Sequence, residues 1–309
     1  MSDRFELYLT CPKGLEGLLA EEARGLGLEE VREHTSAIRG VADMETAYRL
    51  CLWSRLANRV LLVLKRFSMK NADDLYYGVH DVEWADHLDA TGTLAVEFSG
   101  HGSGIDNTHF GALKVKDAIV DKLRTAEGIR PSIDKVDPHL RVHLRLDRGE
   151  AVLSLDLSGH SLHQRGYRLQ QGAAPLKENL AAAILIRAGW PRIAAAGGAL
   201  ADPMCGVGTF LVEAAMMAAD LAPNLKRERW EDYLASLKQL YTREQILKDY
   251  GVVVAYAEPE PDGASETRGK AKKKKEDSDD AEVFGRSLPA KTLVLTFDDG
   301  PHEIGRASC

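Results

Sequence analysis

The stretch LADPMCGVGTFLVEAAMMAA, residues 200–219, constrains the fold more than any other part of the chain. Ala199-Leu200-Ala201 reads as a short buried strand, Asp202 and Pro203 close it, and Gly206 and Gly208 make a tight turn. An apolar helix then begins near Thr209. A strand, a glycine turn and a helix in that order belong to an open α/β sheet, whose ligands settle at the carboxyl ends of the strands. Glycine lets the backbone turn sharply and approach a ligand, and a helix starting there aims its first amides into the crevice. The spacing is not G-x-G-x-x-G, and no lysine follows the glycines as it does in a phosphate-cradling loop. A nucleoside-like cofactor therefore fits better than a dinucleotide or a nucleoside triphosphate. The alternative is a strand-to-helix turn with no ligand.

Upstream, FELYLT (5–10) predicts a strand, and Leu15, Leu18, Leu19, Ala23 and Leu26 recur at helical spacing up to Gly27. Two short strands are expected within 29–42. A longer helix is expected over 44–66, with Leu50, Trp53, Leu56, Ala57, Val60, Leu61 and Leu64 on one broad face. TLAVEFS (93–99) predicts a strand and 108–125 a helix with Ala112, Val115, Ile119 and Leu123 inward. LRVHLRL (140–146) and AVLSLDL (151–157) alternate around Asp147-Arg148-Gly149-Glu150, a hairpin signal. Leu140, Val142, Leu144 and Leu146 fall on one face of that strand, and Arg141, His143 and Arg145 on the other. A helix over 175–189 opens at Pro175.

The formal charge of −7 argues mildly against a nucleic-acid binder but leaves room for a local basic patch. Arg141, His143 and Arg145 on one strand face suit phosphate; the alternative is a solvated face balanced by acids. In HSLHQRGYR (160–168), Arg165 and Arg168 suit phosphate and Tyr167 suits base stacking. The alternative there is an inter-domain connector whose arginines pair with acids. The cysteines, at 11, 51, 205 and 309, have no paired spacing, which argues against a disulfide framework and a cysteine zinc site. MSDRFELYLT has no signal-peptide pattern, and no apolar run approaches the ~20 residues of a membrane span. A cytoplasmic location is expected.

DPMCGVGTFLVEAA resembles the first motif of S-adenosylmethionine-dependent RNA guanine-N2 methyltransferases, with Val207 where that family usually has serine. WSRLANRV, LHQRGYRL and APLKENLAAAIL extend the resemblance, in order, to the N-terminal half of the bifunctional 23S rRNA guanine-N2 methyltransferases of bacteria. The resemblance covers roughly residues 1–230. It implies an α+β ferredoxin-like segment plus a THUMP RNA-binding domain over 1–160, then the incomplete start of a Rossmann-like methyltransferase domain over 161–232. It implies S-adenosyl-L-methionine held by Asp202, Pro203, Cys205, Gly206, Gly208 and Thr209, with no metal. Lys114, Lys116, Arg141, His143, Arg145, Arg165, Tyr167 and Arg168 become the candidate RNA contacts. The implied partner is 23S rRNA or its assembly intermediate, met by a monomer away from any membrane. The reaction is methylation of an exocyclic guanine N2, a poor nucleophile that the family positions with an Asn-Pro-Pro-Tyr loop.

No Asn-Pro-Pro-Tyr occurs in the 309 residues, so the chain is expected to be a fragment that binds RNA but does not transfer methyl groups alone. Residues 233–284 are expected as a helix and then a charged, disordered linker, PEPDGASETRGKAKKKKEDSDDAE. TLVLTFDDGPH, within 285–302, resembles the start of NodB-type polysaccharide deacetylases. There Asp298 would be the general base and Asp299 a metal ligand, but the two histidines that complete such a site are missing. The final IGRASC resembles the translation of a sequencing adapter, so 303–309 are expected to be an artefactual tail. Two rival functions stay open at this point: an RNA-binding THUMP module without catalysis, and a metal-dependent polysaccharide deacetylase with an N-terminal extension.

Overall fold

The structure is a computed structural model that describes residues 4–168, 175–225 and 293–294. Its centre is one eight-stranded sheet. In chain order the elements are β1 (Phe5–Thr10), α1 (Glu16–Gly25), β2 (Glu29–His34), β3 (Ala37–Ala42), α2 (Met44–Trp53), β4 (Arg59–Ser68) and α3 (Ala72–His80). Then come β5 (Thr93–Gly100), α4 (Thr108–Leu123), β6 (Ser132–Ile133), β7 (Leu140–Asp147) and β8 (Glu150–Asp156). The sheet order is β2-β3-β1-β4-β8-β7-β5-β6.

Alternation decides the layering. Leu7 and Leu9 point inward and are fully buried, while the alternate residues Tyr8 and Thr10 face the other side. The same split runs through Leu140, Val142, Leu144 and Leu146 of β7 and through Leu153 and Leu155 of β8. The buried set packs with α1, α2 and α4 as one core, and the opposite face of the sheet carries the polar residues, as antiparallel sheets allow. Asn71 and Asn107 cap α3 and α4, each side chain accepting from two backbone N–H groups of the first turn.

The expected pair of strands within 29–42, the strand near 93–99, the helix near 108–125 and the hairpin all form. The hairpin turn has Arg148 at φ 51 and Gly149 at φ 81, the left-handed pair that a two-residue turn requires. The helix expected over 44–66 does not form as such. α2 ends at Trp53, Ser54 turns to extended backbone (ψ 124), and Arg59–Ser68 becomes β4. The run VLLVL has apolar side chains at both periods, so helical spacing and a strand buried on both faces look alike in it. Its β-branched valines and its place between two antiparallel neighbours settle the outcome. β4 pairs with β1 (Tyr8↔Leu61) and with β8 (Leu62↔Leu155), so it welds the two halves of the sheet together.

After β8 the chain crosses to a smaller layer: α5 (Glu178–Arg187), α6 (Trp190–Ala195), β9 (Leu200–Ala201) and α7 (Thr209–Ala218). α5 begins three residues beyond the expected Pro175. Ala181, Leu185, Trp190, Phe210 and Ala214 form its own apolar cluster. β10 (Leu293–Val294), inside the run expected as a strand, pairs in parallel with β9. No helix among the described residues is long and apolar enough to cross a membrane.

Candidate cofactor loop and basic sheet face

β9 delivers Asp202 to its carboxyl end, where Oδ1 accepts from the Met204 N–H at 3.2 Å. The loop then closes on itself, with Gly208 N–H donating to the Cys205 carbonyl at 2.7 Å. Gly206 sits at φ 50 and Gly208 at φ 78. A Cβ on Gly208 would meet nothing within 4 Å, so the backbone conformation and not crowding selects glycine there. Pro203, Met204, Cys205, Gly206 and Val207 are exposed. α7 starts at Thr209 directly behind the turn, its N-cap Gly208 making no side-chain cap hydrogen bond, so the positive end of the helix dipole lies at the loop. The expected set Asp202, Pro203, Cys205, Gly206 and Gly208 therefore shares one exposed turn. Thr209 stands apart from it: the residue is buried and its hydroxyl accepts from Arg168 at 3.1 Å.

Behind α7 lies a buried polar cluster. Arg165 has a fully buried side chain whose guanidinium donates to the carbonyls of Leu162 and Arg55, the latter at 2.6 Å, and to Asn224 Oδ1 at 3.4 Å. It also lies 3.5 Å from Glu213 of α7. Tyr167 donates to the same Glu213 oxygen at 3.1 Å. Arg168 donates to the Leu176 carbonyl at 2.6 Å and faces Glu178 at 3.4 Å. Burial raises the Glu213 carboxyl above the usual carboxylate range, against the pull of Arg165, and burial likewise raises the Tyr167 hydroxyl. Glu22 of α1, also raised by burial, accepts from Ser54 Oγ at 2.6 Å and Arg55 N–H at 2.8 Å. Arg55 in turn reaches the Leu221 carbonyl at 2.7 Å, just past α7. Segment 54–58 thus ties the sheet to the helix that follows the turn Asp202–Gly208. Arg165, Tyr167 and Arg168, expected as RNA contacts, are instead committed to this joint. Glu213 and Glu22 escaped the sequence reading because their partners lie 32 or more residues away.

The polar face of the sheet is the second region. Arg39 and Arg66 both hold Glu6, at 3.3 and 2.8 Å, and Arg66 lies 5.4 Å above the Tyr8 ring. Arg59 and Arg141 share Glu97 at 3.3 and 3.1 Å, and Arg59 also pairs with buried Asp156. Arg141 is only 8 % exposed, so the expected trio splits: it serves Glu97, while His143 and Arg145 look into a cleft of about 920 Å³. Burial lowers the His143 pKa. Lys114 lies 3.9 Å from Asp73 and Lys116 pairs with Asp117, both on α4, across the sheet from that cleft. Asp298 and Asp299 lie outside the described residues, as do 233–284 and 303–309.

Three family models match the chain in succession. The RlmL ferredoxin-like domain matches 6–61, the THUMP domain 69–156, and the RMKL-like methyltransferase domain 165–291. Ribosomal RNA large subunit methyltransferase K/L of Pseudomonas entomophila is 91% identical over 230 residues, and that of Pseudomonas putida strain F1 is 90% identical over the same length. Each alignment covers 74% of this chain and 32% of the relative, so the chain spans about a third of the length of these relatives. Among solved structures, SMU.472, named as a methyltransferase and crystallised with SAH, is 28% identical with a TM-score of 0.66. It is matched over 80% of this chain and 63% of its own. The architecture is a ferredoxin-like unit and a THUMP domain sharing one sheet, followed by a Rossmann-like methyltransferase domain.

Proposed function

We propose that this chain is the N-terminal part of an S-adenosylmethionine-dependent 23S rRNA guanine-N2 methyltransferase, one that holds RNA and cofactor but does not complete methyl transfer alone. The observation that carries the reading is the exposed turn Asp202–Gly208 at the end of β9, ahead of an uncapped helix. Near-identity to rRNA methyltransferases over 230 residues supports it. The open space around Gly208 and the two left-handed glycines fit a nucleoside-sized cofactor approaching the backbone. The cofactor supplies the electrophilic methyl group. The chain's own residues do the holding: Gly206 and Gly208 make the tight turn, the N-terminal end of α7 lies behind it, and Asp202 fixes the turn through Met204. The acceptor amine of guanine needs a positioning loop of the Asn-Pro-Pro-Tyr kind, which these 309 residues do not contain. The RNA partner is 23S rRNA or an assembly intermediate, met by a cytoplasmic monomer through the basic sheet face.

Titration calorimetry of the full chain with SAH tests the cofactor half. Binding by the unaltered chain that disappears in Gly206→Val is the expected result; no binding by the unaltered chain overturns it. Incorporation of labelled methyl groups into 23S rRNA by the chain alone would refute the claim of inactivity.

A further inference from the structure

An exposed turn takes its place from its two ends. At the first end of the turn Asp202–Gly208 stands β9, two residues long. At the second stands Thr209, 1% exposed, followed by Phe210 in the small apolar cluster. Between those ends Pro203 to Val207 lie exposed, and a Cβ on Gly208 would touch nothing within 4 Å, so packing does not hold the turn in place. The Thr209 hydroxyl accepts from Arg168 Nη2 at 3.1 Å. The same nitrogen donates to the Leu176 carbonyl at 2.6 Å, and Nε faces Glu178 Oε1 at 3.4 Å. Leu176 and Glu178 flank Lys177, the N-cap of α5, whose side chain makes no cap hydrogen bond. One guanidinium therefore ties the start of α5 to the start of α7. The two helices also meet through Ala181, Leu185, Phe210 and Ala214. Apolar contact is non-directional and leaves their sliding register open; hydrogen bonds have a preferred geometry and close it. A cation beside two helix N-termini stands in an unfavourable field, which Glu178 and the Leu176 carbonyl offset. A pair as buried as Arg168 and Glu178, at 12% and 8% exposure, adds little net stability, and its better use is to fix a geometry.

We infer that Arg168 is a positioning residue for the cofactor turn: it holds Thr209, and through Thr209 the far end of Asp202–Gly208, in register with the start of α5. This rests on the cofactor reading proposed above and deepens it. The stretches LHQRGYRL and APLKENLAAAIL, which contain Arg168 and Leu176 to Glu178, meet at this guanidinium. Arginine suits the place and lysine does not. Nη2 serves two acceptors from a fixed plane while Nε stays beside Glu178, whereas a lysine gathers its donors on one atom and cannot span that distance. The task is separate from that of Arg165 and Tyr167. Those two hold Glu213, one helical turn further along α7, so α7 keeps its place on the joint when Arg168 is changed. The effect of Arg168 is therefore local to the turn.

The test compares the full chain with Arg168→Lys, which keeps a charge for Glu178, with Thr209→Val, which removes one hydroxyl and little volume, with the two combined, and with Thr209→Ser, which keeps the hydroxyl. Amide exchange is followed residue by residue by NMR, and SAH affinity by titration calorimetry. Met204 and Gly208 report on the turn, because their N–H groups donate to Asp202 Oδ1 and to the Cys205 carbonyl. The paired amides of β7 and β8 report on the sheet. In Arg168→Lys and in Thr209→Val, protection at Met204 and Gly208 should fall and SAH should bind about fivefold more weakly, the scale of one lost hydrogen bond, while β7 and β8 exchange as before. Thr209→Ser should match the unaltered chain in both readouts, and the combined variant should be no weaker than the weaker single one, as for two changes within one contact. Weakening by Thr209→Ser but not by Thr209→Val would mean that Thr209 only fills space, and overturns the inference. Unchanged exchange in the turn of both Arg168→Lys and Thr209→Val overturns it whether or not SAH binds, and so does an equal loss of protection in β7 and β8. If the unaltered chain binds no SAH yet its turn loosens in both variants, the cofactor reading falls and the positioning of the turn by Arg168 stands.

Discussion

Replacing Arg165 by methionine should be among the most damaging single changes available in this chain, and its cost should depend on pH in a definite direction. The guanidinium is fully buried and serves the Leu162 and Arg55 carbonyls, Asn224 and Glu213. Methionine fills much of the volume and satisfies none of these groups. Removing one partner of a buried pair costs about 3–5 kcal/mol, because the carboxylate left behind is still desolvated. Glu213 keeps the Tyr167 hydroxyl at 3.1 Å, which places the expected loss near the middle of that range, about 4 kcal/mol at pH 7. The sign of the pH dependence follows from linkage. Burial already raises the Glu213 carboxyl in the folded chain, and Arg165 opposes that rise. Without Arg165 the folded-state value climbs further, so the folded variant takes up a proton that the unfolded chain releases above its usual carboxylate range. The penalty therefore grows as pH rises and shrinks as pH falls through 4.5, below which both states come to hold the proton. Urea unfolding of both proteins at the two pH values, followed by tryptophan fluorescence, measures it. Glu213→Gln should cost less, and the double variant less than the sum of the two. A loss below about 1 kcal/mol, or the same loss at both pH values, would refute the claim that the pair is a buried, charged joint.

Two further changes test the sheet and the linker. Gly100→Ala places a Cβ 1.9 Å from the Leu146 carbonyl oxygen at a φ of 96, so it should cost more than about 3 kcal/mol in thermal or urea unfolding; retention of wild-type stability would contradict the β5–β7 pairing. Burial, reinforced by Lys177 and Arg165, lowers the His163 pKa from 6.5 to about 4. The unfolded chain then binds a proton that the folded chain refuses, so stability should fall as pH drops from 6.5 to 4. The share due to His163 is about 2 kcal/mol after allowance for partial exposure, and His163→Gln should flatten that limb of the pH–stability curve.

What could be read in the sequence was local. The turn from Asp202 to Gly208 was legible because positive φ at two glycines is a property of the residues themselves. The hairpin was legible for the same reason, and so was the alternation that puts Arg141, His143 and Arg145 on one face. What depended on distant pairing was not. The run VLLVL satisfies a helical face as well as a strand, and only its neighbours β1 and β8, one of them some ninety residues on, make it the centre of a sheet. Arg165 and Arg168 carry the charge of phosphate ligands, yet Glu213 and Glu178 consume that charge once the chain folds. A basic residue and its acid are indistinguishable from two free charges until their separation is known. That same blindness hid the cleft on the polar sheet face, whose two walls come from segments that nothing in the sequence places together.

The two regions are not independent, because segment 54–58 stands between them. Ser54 and Arg55 are held from one side by Glu22, on the first helix of the ferredoxin-like unit. From the other side, Arg165 takes the Arg55 carbonyl, Asn179 takes the Leu56 carbonyl, and Arg55 itself reaches past the end of α7. Arg59, the first residue of β4, then pairs with Asp156 and Glu97 on the basic face. One short connection thus carries hydrogen bonds to the helix behind the turn Asp202–Gly208 and opens the strand that floors the cleft on the polar sheet face. These bonds couple the position of α7 to that of β4, so a change at Arg165 or Glu22 should be felt on both sides of the segment.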